Sequence, residues 1–166
     1  CMSEDAIIKQ AYDRNKAAAV FENLYNPRAN FAGLKMSKPH VMGVINVTPD
    51  SFSDGGAHLA PASAITSGKA MSQAGASIID VGGESTRPGA EAITVNQELA
   101  RVLPPITGMS RQNLLVSIDS RHAEVMTRAC AAGAAVINDV EALRRDGALD
   151  AAAASGVPVI IMHMQG

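Results

Sequence analysis

Residues 42–56 read MGVINVTPDSFSDGG, an apolar run that changes at Asn46 into a loop rich in hydroxyl, carboxylate and amide groups. A strand that ends in Asn and leads directly into such a loop is typical of a parallel α/β protein. In that architecture, the carboxyl edge of the sheet presents the polar groups that bind ligands. The loop therefore suits an anionic or metal-bound ligand.

The composition indicates a globular protein. The chain has 166 residues, of which 47% are hydrophobic and 18% charged, and this is close to the usual size of one domain. A net charge of −2 gives no electrostatic reason to expect nucleic acid or an anionic membrane as a partner. No apolar run approaches the length of a membrane span, so the sequence predicts a soluble, cytoplasmic protein.

The first part of the chain differs in pattern from the rest. Apolar residues recur at helical spacing over 3–25, with Ser3 as a candidate N-cap, and an irregular connector is predicted over 26–40. We therefore divide the chain into an N-terminal helical extension with its connector, residues 1–38, and a main domain, residues 39–166.

A regular alternation of strands and helices fills the main domain. The predicted strands lie at 41–47, 76–81, 114–118, 134–138 and 157–162, and the predicted helices at 61–74, 94–106, 120–132 and 147–154. The strands are continuous apolar runs, which is typical of parallel strands buried on both faces. Thr94 with Gln97 fits a capping box at the start of the second helix, and Ser120 is predicted to cap the third.

The fold class predicted from this rhythm is α/β, with the (β/α)₈ barrel favoured over a doubly wound sheet. Strand count alone leaves the doubly wound sheet open. Each strand ends near a polar residue, namely Asn46, Asp80, Asp119, Asn138 and His163, as in the active-site edge of a barrel. A closed barrel usually takes about 250 residues, so the sequence predicts an incomplete barrel of about five strands.

The loops after the first two strands contain the groups that would bind an anion. Asn46 offers an oxygen to a hard cation such as Mg²⁺ or an amide hydrogen to phosphate, and Asp54 lies close enough in sequence to join it. Arg87 in the segment GGESTRPG can hold phosphate oxygens through paired hydrogen bonds, with Thr86 adding a hydroxyl and Pro88 stiffening the loop. The alternatives are an ordinary turn and a solvated surface arginine.

The later strands end in groups that suit a flat heterocycle. Asp119 and Asn138 combine a carboxylate with a carboxamide, which can pair with ring N–H and amino groups. The alternative for Asp119 is a helix-capping role. Met162 is suited to packing against a planar ligand. His163 has no second histidine at ligand spacing, which argues against zinc, and the sequence gives His122 no partner.

Taken together, six segments resemble the dihydropteroate synthase family. They are MGVINVTPDSFSDGG (42–56), GASIIDVGGESTRPGA (75–90), VSIDS (116–120), INDV (137–140), GAL (147–149) and MHMQG (162–166). The resemblance implies a (β/α)₈ barrel, usually homodimeric, that condenses 6-hydroxymethyl-7,8-dihydropterin diphosphate with 4-aminobenzoate in folate biosynthesis. It also implies Mg²⁺ at the leaving diphosphate and competition by sulfonamides for the aminobenzoate site.

The resemblance also implies roles for individual residues. Asn46 is expected at the Mg²⁺–diphosphate end, and Phe52 at the wall of the aminobenzoate pocket. Asp54, Arg87 and Asp119 are the residues expected to take part in catalysis. Substrate binding is further expected of Thr86, Pro88, Asn138, Val140 and Met162.

The resemblance covers only the first five βα units of the family's barrel. The family places further pterin and diphosphate groups on strands six to eight, so residues 1–166 alone are expected to lack catalysis. Two other functions stay open at this point. One is a pterin-binding methyltransferase domain, which would need no diphosphate site. The other is a non-catalytic partial barrel that requires a second subunit.

Overall fold

The computed structural model describes residues 14–48, 59–84 and 93–162, and the chain divides into two compact units, Cys1–Pro39 and His40–Gly166. In the first unit, helix α1 spans Arg14–Tyr25. The predicted helix over 3–25 is confirmed across these residues, and its earlier part lies outside the described ranges.

The described elements of the second unit alternate strand and helix as predicted. They are β1 (Val41–Asn46), α2 (Leu59–Gln73), β2 (Ala76–Gly82), α3 (Val95–Ser110), β3 (Val116–Asp119), α4 (Ala123–Ala131), β4 (Val136–Asp139), α5 (Ala148–Ser155) and β5 (Val159–Ile161). Within the described ranges, no helix combines the length and hydrophobicity that a membrane span requires.

The sheet topology decides between the two fold classes that strand count left open. All five strands are parallel, and their order across the sheet is β1-β2-β3-β4-β5. A doubly wound sheet reverses its strand order at a switch point, whereas the strands of a (β/α)₈ barrel follow the chain in sequence. The described part of the second unit is therefore a partial (β/α)₈ barrel.

The hydrophobic core lies between the sheet and its helices. Ile79, Val81, Val116, Ile118 and Ile137 supply the sheet side, and Val102, Ile106, Met109, Val125 and Met126 supply the helix side; all ten are at most 1% exposed. Burying each such side chain contributes roughly 1.5–3 kcal/mol, so this layer stabilises the sheet against its helices. The opposite face of the sheet carries the polar residues of the candidate site.

Helix α3 extends beyond its predicted end. It runs to Ser110 and contains Pro104 and Pro105, whose rings remove two backbone donors from the helix. Ile106 and Met109, which follow the prolines, are fully buried, so packing against the sheet outweighs the lost hydrogen bonds. The predicted capping box is confirmed, because Thr94 Oγ1 accepts from the Gln97 amide while Gln97 Oε1 accepts from the Thr94 amide.

The predicted cap of helix α4 is wrong. The helix begins at Ala123, and its N-cap residue, His122, makes no side-chain capping bond. Ser120 Oγ instead accepts from the His122 amide at 3.1 Å, which closes a turn between the strand and the helix. The hydroxyl bonds the backbone two residues onward, a local option that competes with helix capping for this residue type.

Candidate ligand site at the carboxyl edge of the sheet

Four residues form one level row across the carboxyl edge of the sheet. Asn46 pairs in register with Gly82, Gly82 with Asp119, and Asp119 with Asn138. Neighbouring strands lie about 4.8 Å apart, so residues at one register level are close enough for their side chains to contact a common small molecule. The structure therefore places Asn46 in one row with Asp119 and Asn138, the pair that the sequence singled out.

Gly82 leaves room between two of these side chains. A Cβ atom placed on it would lie 3.2 Å from Asn46 Oδ1 and 3.4 Å from Asp119 Oδ2. The two oxygens therefore border the same small space above the glycine. A larger residue at this position would push the oxygens apart.

Asp80 lies two residues before Gly82 on the same face of β2, one level deeper in the sheet. Its side chain is 2% exposed, and its Oδ2 accepts from Asn138 Nδ2 at 3.0 Å. Ser117 is its register partner on β3. Within the described residues, Asp80 Oδ1 and Ser117 Oγ are buried without a hydrogen bond of normal geometry, although the two side chains are neighbours.

Both carboxyl groups on this face are harder to ionise than in water. Burial raises the pKa of Asp80, against the opposing pull of the polar side chains of Ser117 and Asn138. Burial also raises the pKa of Asp119 to about 7, and the nearby carboxylates of Asp80, Glu98, Asp139 and Glu84 add to the shift. Asp119 is therefore poised to gain or lose a proton near neutral pH.

Asp139 has a structural role in the turn that follows β4. It is fully buried, and its two carboxylate oxygens accept from the amides of Glu141 and Leu143, each at 2.8 Å. These bonds hold a turn in which Ala142 and Leu143 adopt left-handed backbone angles, with φ of 56° and 59°. No functional role for Asp139 follows from the sequence, and these two hydrogen bonds account for a polar side chain at this buried position.

The remaining described candidates follow the last two strands. Val140 is half-buried directly after β4, and Met162 follows β5 with its amide donating to the Asp139 carbonyl at 3.2 Å. Met162 also borders a cavity of about 360 Å³, which is lined by Ala142, Arg144, Ile161 and Met162.

An ion-pair network joins the loops beside the row. Glu84, two residues after the end of β2, receives two hydrogen bonds from Arg121, at 2.7 and 3.1 Å. Arg121 also donates to Glu141 at 2.7 Å, and Glu141 accepts from Arg145 at 2.9 Å. The hydrogen bonds from Arg145 and Arg121 lower the pKa of Glu141 to about 2. The network ties together the starts of the loops that follow three successive strands.

His122 belongs to the same region and has a partner that the sequence did not supply. Its Nδ1 lies 2.7 Å from Glu98 Oε2, and Glu98 is 1% exposed. Glu84, Glu98 and His122 each offer an atom within 4.8 Å of the others, which is the spacing of a metal site. However, the Arg121 guanidinium lies 2.7 Å from Glu84 and neutralises its charge. A metal cation bound to Glu84 would be repelled by this guanidinium. These three groups are accounted for by the ion pair of Glu84 with Arg121 and by the contact of His122 with Glu98.

Five of the predicted site residues, Phe52, Asp54, Thr86, Arg87 and Pro88, lie outside the described ranges, as does His163. Their predicted roles stay predictions, as do those of the described candidates. Sequence reasoning placed Asp80 at this edge without giving it a role, and it gave no role to Glu84 or Arg121. The available signal for Asp80 was a charged residue inside an apolar strand, because it interrupts the run ASIIDVG.

The chain is similar in sequence to proteins of known family. A family profile described as pterin binding enzyme matches residues 42–166. Dihydropteroate synthase of Escherichia coli (strain K12) is 49% identical over 139 residues, which are 83% of this chain and 49% of that protein. The chain thus spans about half the length of the curated relatives it matches.

Solved structures show the same likeness. The dihydropteroate synthase of Xanthomonas albilineans with 4-aminobenzoic acid superimposes with a TM-score of 0.78 at 52% identity, covering 84% of this chain and 52% of that chain. A second structure of the enzyme from the same organism, in complex with 7,8-dihydropteroate, gives a TM-score of 0.71 at 48% identity, covering 80% of this chain and 48% of that one.

Proposed function

Because the chain belongs to the pterin-binding enzyme family, we propose that the protein acts as a dihydropteroate synthase. The reaction joins 6-hydroxymethyl-7,8-dihydropterin diphosphate to 4-aminobenzoate and releases diphosphate. The observation that carries the proposal is the level row in which Asn46, Asp119 and Asn138 meet at the carboxyl edge. The solved relatives that bind 4-aminobenzoic acid and 7,8-dihydropteroate support the choice of substrates.

Asp119 and Asn138 form the proposed pterin-binding pair. A carboxylate accepts hydrogen bonds from ring N–H and amino groups, and a carboxamide can both accept and donate. As diphosphate leaves, positive charge develops on the pterin methylene, and an ionised Asp119 nearby stabilises that charge. The raised pKa of Asp119 means that ligand binding must favour its ionised form at neutral pH.

Mg²⁺ is the proposed metal, held at the start of the first loop by Asn46. The donor set fits a hard cation, because Asn46 Oδ1 and Asp119 Oδ2 border the same space above Gly82 and both are oxygens. When bound, the metal would neutralise charge on the leaving diphosphate. Arg87 and Thr86 are proposed as further diphosphate contacts, Phe52 and Pro88 as groups near 4-aminobenzoate, and Asp54 as a catalytic residue. These five roles rest on the family resemblance.

The proposed activity belongs to the whole barrel. The chain spans about half the length of its curated relatives, and β1 and β5 each have one strand neighbour within the described residues. Val44 on β1 and Ile161 on β5 are 51% and 60% exposed. We propose that residues 1–166 alone are inactive, because the ligand would contact only part of its binding groups.

The experiment is a turnover assay on the full-length protein. Purified protein is mixed with 6-hydroxymethyl-7,8-dihydropterin diphosphate, 4-aminobenzoate and Mg²⁺, and both 7,8-dihydropteroate and diphosphate are measured. We expect equimolar formation of the two products. A sulfonamide added at increasing concentration is expected to raise the apparent KM for 4-aminobenzoate without changing kcat.

Two further arms separate the alternatives. Residues 1–166, purified alone, are expected to give no product, and clear turnover would contradict the proposed need for the rest of the barrel. Inorganic diphosphate is expected to compete with the pterin substrate in the full-length protein. If diphosphate does not compete, and the protein instead transfers the methyl group of methyltetrahydrofolate to an added corrinoid and releases tetrahydrofolate, the synthase assignment is wrong.

A further inference from the structure

Asp80 occupies a position that the proposed reaction does not use. Its side chain is 2% exposed, although it lies inside an apolar strand and carries an ionisable group. Its one hydrogen bond of normal geometry within the described residues comes from Asn138, 58 positions later in sequence, at 3.0 Å. A buried carboxyl group costs stability unless its interactions compensate, so its presence calls for a reason.

The geometry shows which half of the Asn138 side chain this bond engages. Asn138 Nδ2 donates downward to Asp80 Oδ2, one level below the row. A carboxamide has its oxygen and nitrogen on opposite sides, so Oδ1 of Asn138 then faces away from Asp80. The amide nitrogen is thereby held by Asp80, and the oxygen is the atom that remains to accept from a ligand.

We propose that Asp80 is a positioning residue, which fixes the orientation of the Asn138 carboxamide so that its oxygen accepts a hydrogen bond from the heterocyclic substrate. This inference rests on the proposed function, because it assumes that a pterin binds beside Asn138. Asp80 acts through Asn138 and does not touch the ligand. The burial of Asp80 is consistent with this indirect role, because a side chain that is 2% exposed offers little surface to a ligand.

Ser117 provides a matched control. It lies at the same register level as Asp80, on the neighbouring strand, and it is also fully buried and polar. Its hydroxyl neighbours the Asp80 carboxyl group but makes no hydrogen bond of normal geometry within the described residues. Replacing Ser117 with Ala therefore removes a polar group beside Asp80 while keeping both partners of the bond between Asp80 Oδ2 and Asn138 Nδ2.

The test is a double-mutant cycle in the full-length protein, read as the dissociation constant of 6-hydroxymethylpterin by calorimetry. Asp80→Leu and Asn138→Leu are each expected to weaken binding by about tenfold or more. The double variant is expected to bind no worse than Asn138→Leu alone, because both changes remove the same interaction. Asp80→Asn, which keeps an acceptor oxygen, is expected to stay within about threefold of wild type, and Ser117→Ala within about twofold.

Several outcomes would overturn the inference. These are additive losses in the double variant, full affinity in Asp80→Leu, or a loss in Ser117→Ala as large as that in Asp80→Leu. Wild-type protein that does not bind 6-hydroxymethylpterin would instead refute the proposed function on which the inference rests. Thermal unfolding of each variant checks that it folds. Should Asp80→Leu not fold, a tenfold loss in Asp80→Asn would also contradict the positioning role.

Discussion

Glu84 and Arg121, 37 residues apart in sequence, form a two-pronged ion pair with nitrogen–oxygen distances of 2.7 and 3.1 Å. The carboxylate is 8% exposed and the guanidinium 25% exposed, so the pair is only partly reached by water. Such a pair holds the exit of β2 against the loop that follows β3. Its geometry leads to a direct prediction for stability.

Arg121→Met is expected to lower the free energy of unfolding of the full-length protein by about 1–3 kcal/mol, because it leaves Glu84 buried without its charged partner. The matched control is Arg128→Met. Arg128 pairs with Glu124 at 3.5 Å, and both side chains are more than half exposed. That change is expected to cost less than about 0.5 kcal/mol. Equal losses in urea unfolding would refute the distinction.

The capping box of α3 gives a second stability prediction. Thr94→Ala removes the hydroxyl that accepts from the Gln97 amide, and the expected loss is about 1 kcal/mol. Thr127→Ala is the control, because that hydroxyl bonds a carbonyl within an exposed part of α4. Its loss is expected to be about half a kcal/mol or less. The free energy of unfolding of each variant is measured by chemical denaturation. Equal losses in Thr127→Ala and Thr94→Ala would contradict a stabilising role of the Thr94 cap.

Gly82→Ala tests the space between Asn46 and Asp119. The added Cβ would meet oxygens at 3.2 and 3.4 Å, while the backbone of Gly82 is not left-handed and accepts alanine without strain. We expect kcat/KM for the synthase reaction to fall by about 10- to 100-fold, since small displacements of reacting groups are costly.

Gly43→Ala is the contrasting variant. Gly43 lies on the helix-facing side of β1, where a Cβ would meet Met71 Sδ at 2.8 Å. This change is expected to lower stability but to leave kcat/KM within about twofold, because it acts on packing far from the row. An intact kcat/KM in Gly82→Ala would show that the space above the glycine is not used.

The raised pKa of Asp119 predicts how stability depends on pH. In the folded protein the carboxyl holds its proton up to about pH 7, whereas the ordinary value is 3.8, so the folded state binds more protons between these values. Stability without ligand or metal is therefore expected to fall as pH rises from 3.8 to about 7. Glu141, whose pKa is lowered from 4.5 to about 2, acts in the opposite sense between these two values, so it opposes Asp119 only below pH 4.5.

Asp119→Asn is the variant that checks the assignment. It removes the titrating group while keeping shape, so the decline in unfolding free energy between pH 5 and about 7 is expected to become shallower. A residual slope is expected from Asp80, whose pKa is also raised. A slope in Asp119→Asn as steep as in wild type would assign the pH dependence to another group.

Local sequence patterns predicted the features that depend on neighbouring residues. Thr94 and Gln97 are three positions apart, and the capping box between them is present. Ser120 shows the limit of such patterns, because its hydroxyl had two local options and bonded the His122 amide. Pro104 and Pro105 show another limit, because proline normally ends a helix, yet α3 continues to Ser110. The burial of Ile106 and Met109 stabilises this extension.

The sequence by itself determined the order of strands and helices and placed polar residues after each strand, because both follow from periodicity and from contacts a few residues apart. Only the tertiary structure decided that Asn46, Asp119 and Asn138 stand at one level, since register is set by pairing between distant segments. The hydrogen bond between Asp80 and Asn138 joins residues 58 positions apart. Local sequence patterns do not predict it, because the two residues come together only when the strands pair.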